Sequence, residues 1–226
     1  MTERPIIMDA ESVRAILAGR KTATRRIRGL EGPSLRMRGP CVAIREACGW
    51  TIERIGPDPV DGIRGLLGPF RCPYGEPGDR LWVREGFLRG AVFPDNGGVL
   101  YAADREGPRY RPAMHMPRTA SRLLLEITEA VPQRLQDMAW DDMLAEGGPV
   151  ADTRPWWVSR WDKVNARPRR RARSPWGSWC PCRYYVSCPW ADEYEEREHR
   201  GLPWYIIGNP WVWAIRFKVL RGVTAP

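Results

Sequence analysis

A chain of 226 residues is too short for two large domains, and a single domain carrying insertions is expected. Hydrophobic residues make up 43%, enough for a buried core, yet no apolar run approaches the roughly 18 residues that span a bilayer. The opening Met1-Thr2-Glu3-Arg4-Pro5 has no signal-peptide organisation, so a soluble, cytoplasmic protein with no membrane partner is expected. Lys and Arg number 36 against 27 Asp and Glu, a formal charge of +9. That balance favours anionic partners, nucleic acid above all, although a basic surface with no partner gives the same count.

The first predicted element is a helix. Asp9 caps it, Val13, Ile16 and Leu17 form its apolar stripe, and Gly19 stands where a left-handed residue ends a helix. The dense polar segment Arg20-Lys21-Thr22-Ala23-Thr24-Arg25-Arg26 follows at once. Short strands are predicted over Val42–Arg45 and Thr51–Ile55 in a Gly- and Pro-rich stretch. After the turn-rich Pro73-Tyr74-Gly75-Glu76-Pro77-Gly78-Asp79, strands follow at Arg80–Glu85, Gly98–Ala102 and Ser121–Thr128, the last with Leu123, Leu125 and Ile127 inward. A second helix runs from about Asp137 to Glu146, with Trp140, Met143 and Leu144 on one face and Gly147 as its stop. A third begins after Thr153 and buries Trp157, Trp161 and Val164. The last strand, Trp211–Leu220, places Trp211, Trp213, Ile215, Phe217 and Val219 on one face. Alternating strands with few helices predict an α+β chain built on a small barrel rather than βαβ winding.

Lys21 and Thr24 are the sharpest chemical pair. A threonine hydroxyl is a weak nucleophile until a base takes its proton, and a neutral lysine amine can be that base. Neutrality near pH 7 requires burial or neighbouring cations, which Arg20, Arg25 and Arg26 supply. In a continuous strand Lys21 and Thr24 face opposite sides, so the pair converges only if the chain turns after Gly19. Without that turn, the segment is a solvated helix end whose cations suit the dipole. Glu146 breaks a local rule: an acid in the last turn faces the negative end of the helix dipole, which should raise its pKa and makes it a candidate for function, although many exposed glutamates tolerate the same arrangement.

The segment Ala15-Ile16-Leu17-Ala18-Gly19-Arg20-Lys21-Thr22-Ala23-Thr24-Arg25-Arg26 resembles the opening signature of ASCH-domain proteins, a branch of the PUA-like superfamily. Cys72–Glu85, His115-Met116-Pro117-Arg118, Leu135-Gln136-Asp137 onward to Ala145-Glu146-Gly147, and Asn209-Pro210-Trp211-Val212-Trp213 are similar to blocks of its phage-associated branch, in the same order. The resemblance implies a PUA-like β-barrel with two or three flanking helices across residues 1–226. Some small ASCH proteins are amidohydrolases that remove an acetyl group from the exocyclic amine of cytidine. Their Lys–Thr–Glu set falls on Lys21, Thr24 and Glu146, and implies hydrolysis of a modified cytidine without a cofactor. Arg26, Trp82, Arg84, Glu85 and His115 are the expected substrate-binding residues. Other members bind RNA, some with ribonuclease activity, so an RNA-binding module is the alternative.

An insertion is expected over 167–203. It carries a basic run, Arg167, Arg169, Arg170, Arg171 and Arg173, expected to be an exposed arm because clustered guanidiniums cannot be desolvated without partners. Cys180, Cys182, Cys188 and His199 are weak candidates for a zinc site, since Cys-x-Cys is awkward for one tetrahedral ion. With no secretory signal, reduced cysteines are the expectation.

Overall fold

Asp9 separates the first two elements of the computed structural model, which describes residues 1–30, 40–56, 65–90, 98–105, 109–165, 183–185, 195–199, 202–206 and 209–221. Strand β1 (Glu3–Ile7) runs up to it, and helix α1 (Ala10–Leu17) starts from it. The Asp9 carboxylate accepts the Ser12 N–H at 2.8 Å, satisfying one of the free donors of the first turn. Val13 and Ile16 are buried as the stripe predicts. Gly19 takes φ +70, the left-handed turn that ends the helix.

The chain then forms β2 (Ala23–Arg26), β3 (Cys41–Glu46), β4 (Gly49–Arg54), β5 (Leu66–Phe70), β6 (Arg80–Arg84), β7 (Phe87–Arg89), β8 (Val99–Tyr101) and β9 (Leu124–Arg134). Helices α2 (Trp140–Ala145) and α3 (Thr153–Asn165) follow, then β10 (Arg183–Tyr185), β11 (Glu195–His199), β12 (Leu202–Ile206) and β13 (Trp211–Arg221). The content is α+β, as expected. The main sheet has the order β1-β6-β9-β13-β2, antiparallel except where β1 joins β6 in parallel. Strands β3, β4 and β5 form a second sheet, and β10, β12 and β11 a third.

No ladder among the described residues closes the main sheet into a barrel; β1 and β2 remain its edges. They are nevertheless linked, because Arg26 at the end of β2 donates from Nη2 to the Ile7 carbonyl at the end of β1, at 2.6 Å. The sheet therefore curls far enough for its two edges to meet through one side chain. Strand β1 is not among the sequence expectations: Pro5 interrupts it, and a proline is tolerated there because the strand is an edge.

β13 explains how the layers stack. Trp213, Ile215 and Phe217 enter a core shared with Val13, Ile16, Leu81, Val83, Leu125 and Ile127. Val212, on the opposite face, packs with Met143, Trp157 and Trp161 in a second core under α2 and α3. A strand buried on both faces contributes about 1.5–3 kcal/mol for each large side chain it removes from water. Three expected inward residues are not inward. Val219 is 43% exposed, beyond a register irregularity between Arg216 and Phe217, while Trp140 and Val164 are 49% and 50% exposed, off the buried stripes of α2 and α3. The basic run at 167–173 lies outside the described residues, as do Cys180, Cys182 and Cys188 of the expected metal set. No helix among the described residues is long and apolar enough to cross a membrane.

Candidate active site

The turn at Gly19 brings Lys21 and Thr24 to one place. The N–H groups of Arg20 and Lys21 both return to the Ala15 carbonyl, at 2.8 and 3.0 Å, wrapping the chain under the end of α1. Lys21 then makes an isolated antiparallel bridge with Glu146, and the Thr22 N–H reaches the Ala145 carbonyl at 2.8 Å. Only after this bridge does the chain become β2, so Lys21 and Thr24 do not belong to one continuous strand. Gly147 makes the approach possible: at φ +95 it carries no Cβ, and a Cβ there would lie 2.9 Å from the Cβ of Ala15 and 3.3 Å from that of Lys21.

Lys21 and Thr24 are 2% and 4% exposed, yet both line a cavity of about 190 Å³ with Arg25, Arg26 and Glu146. Asp9 at the N-cap of α1, Ser12 within that helix, and Trp157, Arg160 and Trp161 of α3 also line it. Trp157 and Trp161 stack at 5.3 Å between centroids. Sequence reasoning placed these tryptophans in the core, where they are; it did not foresee that the same pair forms a wall. Arg160 was missed altogether. Its i, i+3 spacing from Trp157, on a helix tied back to the acids of α1, is the signal that marks it.

The electrostatics centre on Glu146. Lys21 Nζ donates to Glu146 Oε2 at 2.5 Å and to the Glu146 carbonyl at 2.9 Å. Arg25 reaches Glu146 Oε1 at 3.4 Å and Asp142 Oδ1 at 3.0 Å. Burial raises the pKa of Glu146, but Lys21 and Arg25 outweigh it, and the net shift is downward from the ordinary 4.5. The upward shift expected from the helix dipole is thus overturned: two cations in contact dominate the weak field of a short helix. Lys21 is also shifted down, from 10.5, by burial first; Glu146 opposes that shift, while Arg26 and Arg160 reinforce it. Asp9, despite burial that raises its pKa, is held below 3.8 by the Ser12 N–H and Arg160. Arg160 also contacts Glu11 and Ser12, which fixes α3 against α1.

The other expected substrate residues do not line this cavity. Glu85 is 1% exposed and gives both oxygens to Arg122, at 2.9 and 3.2 Å, while Arg122 also pairs with Asp104. Burial raises the Glu85 pKa more than Arg122 lowers it. Trp82 is covered by the Arg84 guanidinium at 4.6 Å and by Arg118 at 6.0 Å. His115 is exposed on a short 3₁₀ turn, Ala113–His115. Of the five, only Arg26 borders the cavity. Compared with family models, curated proteins and solved structures, the chain matches none.

Proposed function

We propose that this cavity is the active site of an amidohydrolase acting on the N-acylated exocyclic amine of a cytosine nucleoside or base, carried on a PUA-like sheet of the ASCH kind. The observation that carries the reading is the convergence of a buried lysine, a buried threonine and a buried glutamate on one cavity, from segments far apart in the chain. The barrel-like core is supported by the Arg26 link between the two sheet edges.

The chemistry is acyl transfer. Glu146 takes two of the three tetrahedral positions around Lys21 Nζ, one with its carboxylate and one with its carbonyl. When Lys21 is neutral, its two protons remain in those bonds and its lone pair occupies the third position. Lys21 takes the Thr24 hydroxyl proton, Thr24 Oγ attacks the amide carbonyl carbon, and Lys21 returns the proton to the nitrogen as the C–N bond breaks. Water then attacks the Thr24 ester, giving a proton to Lys21, and the released Thr24 oxygen recovers it. Each proton is accounted for within the pair.

Incubation with acetyl-, butyryl- and benzoylcytidine tests the reading: release of cytidine supports it. No turnover of any, together with RNA retention that falls steeply with salt, would favour the RNA-binding alternative. Turnover should also report Lys21. Since the base must be neutral, kcat/KM is expected to rise with pH around a midpoint below 10.5. In Glu146→Gln that midpoint should move lower still, because the carboxylate that holds the proton on Lys21 is gone. A midpoint unchanged by Glu146→Gln would remove Lys21 as the base.

A further inference from the structure

Among the described residues, the cavity's cations divide into those with acid partners and one without. Lys21 is paired with Glu146, Arg25 with Glu146 and Asp142, and Arg160 with Asp9 and Glu11. Among the described residues, Arg26 hydrogen-bonds only to the Ile7 carbonyl and, at 3.2 Å, to the Met8 sulfur. Its field reaches Lys21 and Glu146, but among the described residues no carboxylate lies within ion-pair distance of it. Its Nε is buried without a hydrogen-bond partner. Other arginines share an orphaned Nε, so that feature alone decides nothing. What sets Arg26 apart among the four cavity cations is a half-buried side chain held through one nitrogen, Nη2, by the Ile7 carbonyl and the Met8 sulfur, with donors left over and no counter-charge among the described residues.

A guanidinium held in this way is suited to an oxyanion, whose oxygens match its remaining N–H donors. Neutral nucleosides offer nothing of that kind. Building on the amidohydrolase reading, we propose that the substrate carries an anionic group received by Arg26, so that the site takes a nucleotide or an acid-bearing acyl group in preference to a neutral acylated nucleoside. Phosphate on the sugar and carboxylate on the acyl chain share the chemistry; they differ in which end of the substrate faces β2.

Binding of cytidine and of cytidine monophosphate, measured by calorimetry at low salt, tests the phosphate source without requiring turnover. The monophosphate is expected to bind at least about tenfold more tightly, as one charge-assisted contact supplies. That advantage should vanish in Arg26→Gln and persist in part in Arg26→Lys, which keeps the charge and one donor to Ile7 if the glutamine variant loses its fold. Comparing succinylcytidine with butyrylcytidine, using the Thr24→Ala variant so that nothing is consumed, tests the carboxylate source with the same threshold. Preference for neither anion overturns the proposal, whatever the outcome of the hydrolysis assays. Preference for an anion with no hydrolysis of any acylated cytidine leaves the anion site standing and removes the amidohydrolase reading.

Discussion

Replacing Glu146 with alanine is expected to destabilise the protein by about 3–5 kcal/mol at pH 7. The loss comes from what remains: Lys21, 2% exposed, would keep its charge with no carboxylate in contact. Its escape is to lose the proton. With an unfolded value near 10.5, giving up that proton at pH 7 costs about 5 kcal/mol, which sets the ceiling. The sign of the pH dependence follows. Without Glu146 the folded Lys21 pKa falls further below its unfolded value, so the variant's stability rises with pH until the unfolded lysine also loses its proton, near 10.5. In the parent protein the depressed Glu146 pKa acts in the acid range. Its contribution is complete above about 4.5 and is lost as pH falls through the lower folded value. The double variant Glu146→Ala, Lys21→Met should recover most of the stability, since no buried charge is then left alone. Urea unfolding of the three proteins at pH 7 and 9.5, and of the parent also at about pH 3, measures each part.

Lys21→Met and Thr24→Ala are each expected to lower kcat by about 10³-fold or more while leaving the secondary structure in place. Methionine fills the lysine's volume without its amine, and alanine removes only the hydroxyl and one methyl group. The two losses should not add, because base and nucleophile act as one unit. Thr24→Ser keeps the hydroxyl and is expected to stay within about tenfold of the parent. Steady-state kinetics on the best acylated cytidine distinguishes these cases. Activity within tenfold of the parent in both Lys21→Met and Thr24→Ala would remove the pair from the mechanism.

What the sequence made legible was mostly local. The Asp9 cap, the Val13 and Ile16 stripe and the Gly19 stop appear in α1 as read, and Leu123, Leu125 and Ile127 are inward as their alternation implies. The segment bearing Lys21 and Thr24, and Glu146 before Gly147, was found from helix ends, since both groups lie where a glycine stops a helix. Long-range partners were not legible. Nothing near Glu85 announces Arg122, so a carboxylate expected at a binding site is instead the buried partner of an arginine 37 residues away. The downward shift of Glu146 comes from Lys21 and then Arg25 in contact with it, a fact of the fold and not of helix position. Arg160 closes the cavity from α3 because Asp9 and Glu11 hold it, and that pairing spans about 150 residues of sequence.

The central claim, that Thr24 attacks an acyl group with Lys21 as its base, is tested most directly by mass spectrometry of the protein quenched during turnover of a slow, bulky acylcytidine. The expected result is an added acyl mass on the peptide containing Thr24, absent in Thr24→Ala and strongly reduced in Lys21→Met. Steady release of cytidine with no acyl mass at Thr24, and with Thr24→Ala as active as the parent, would contradict it.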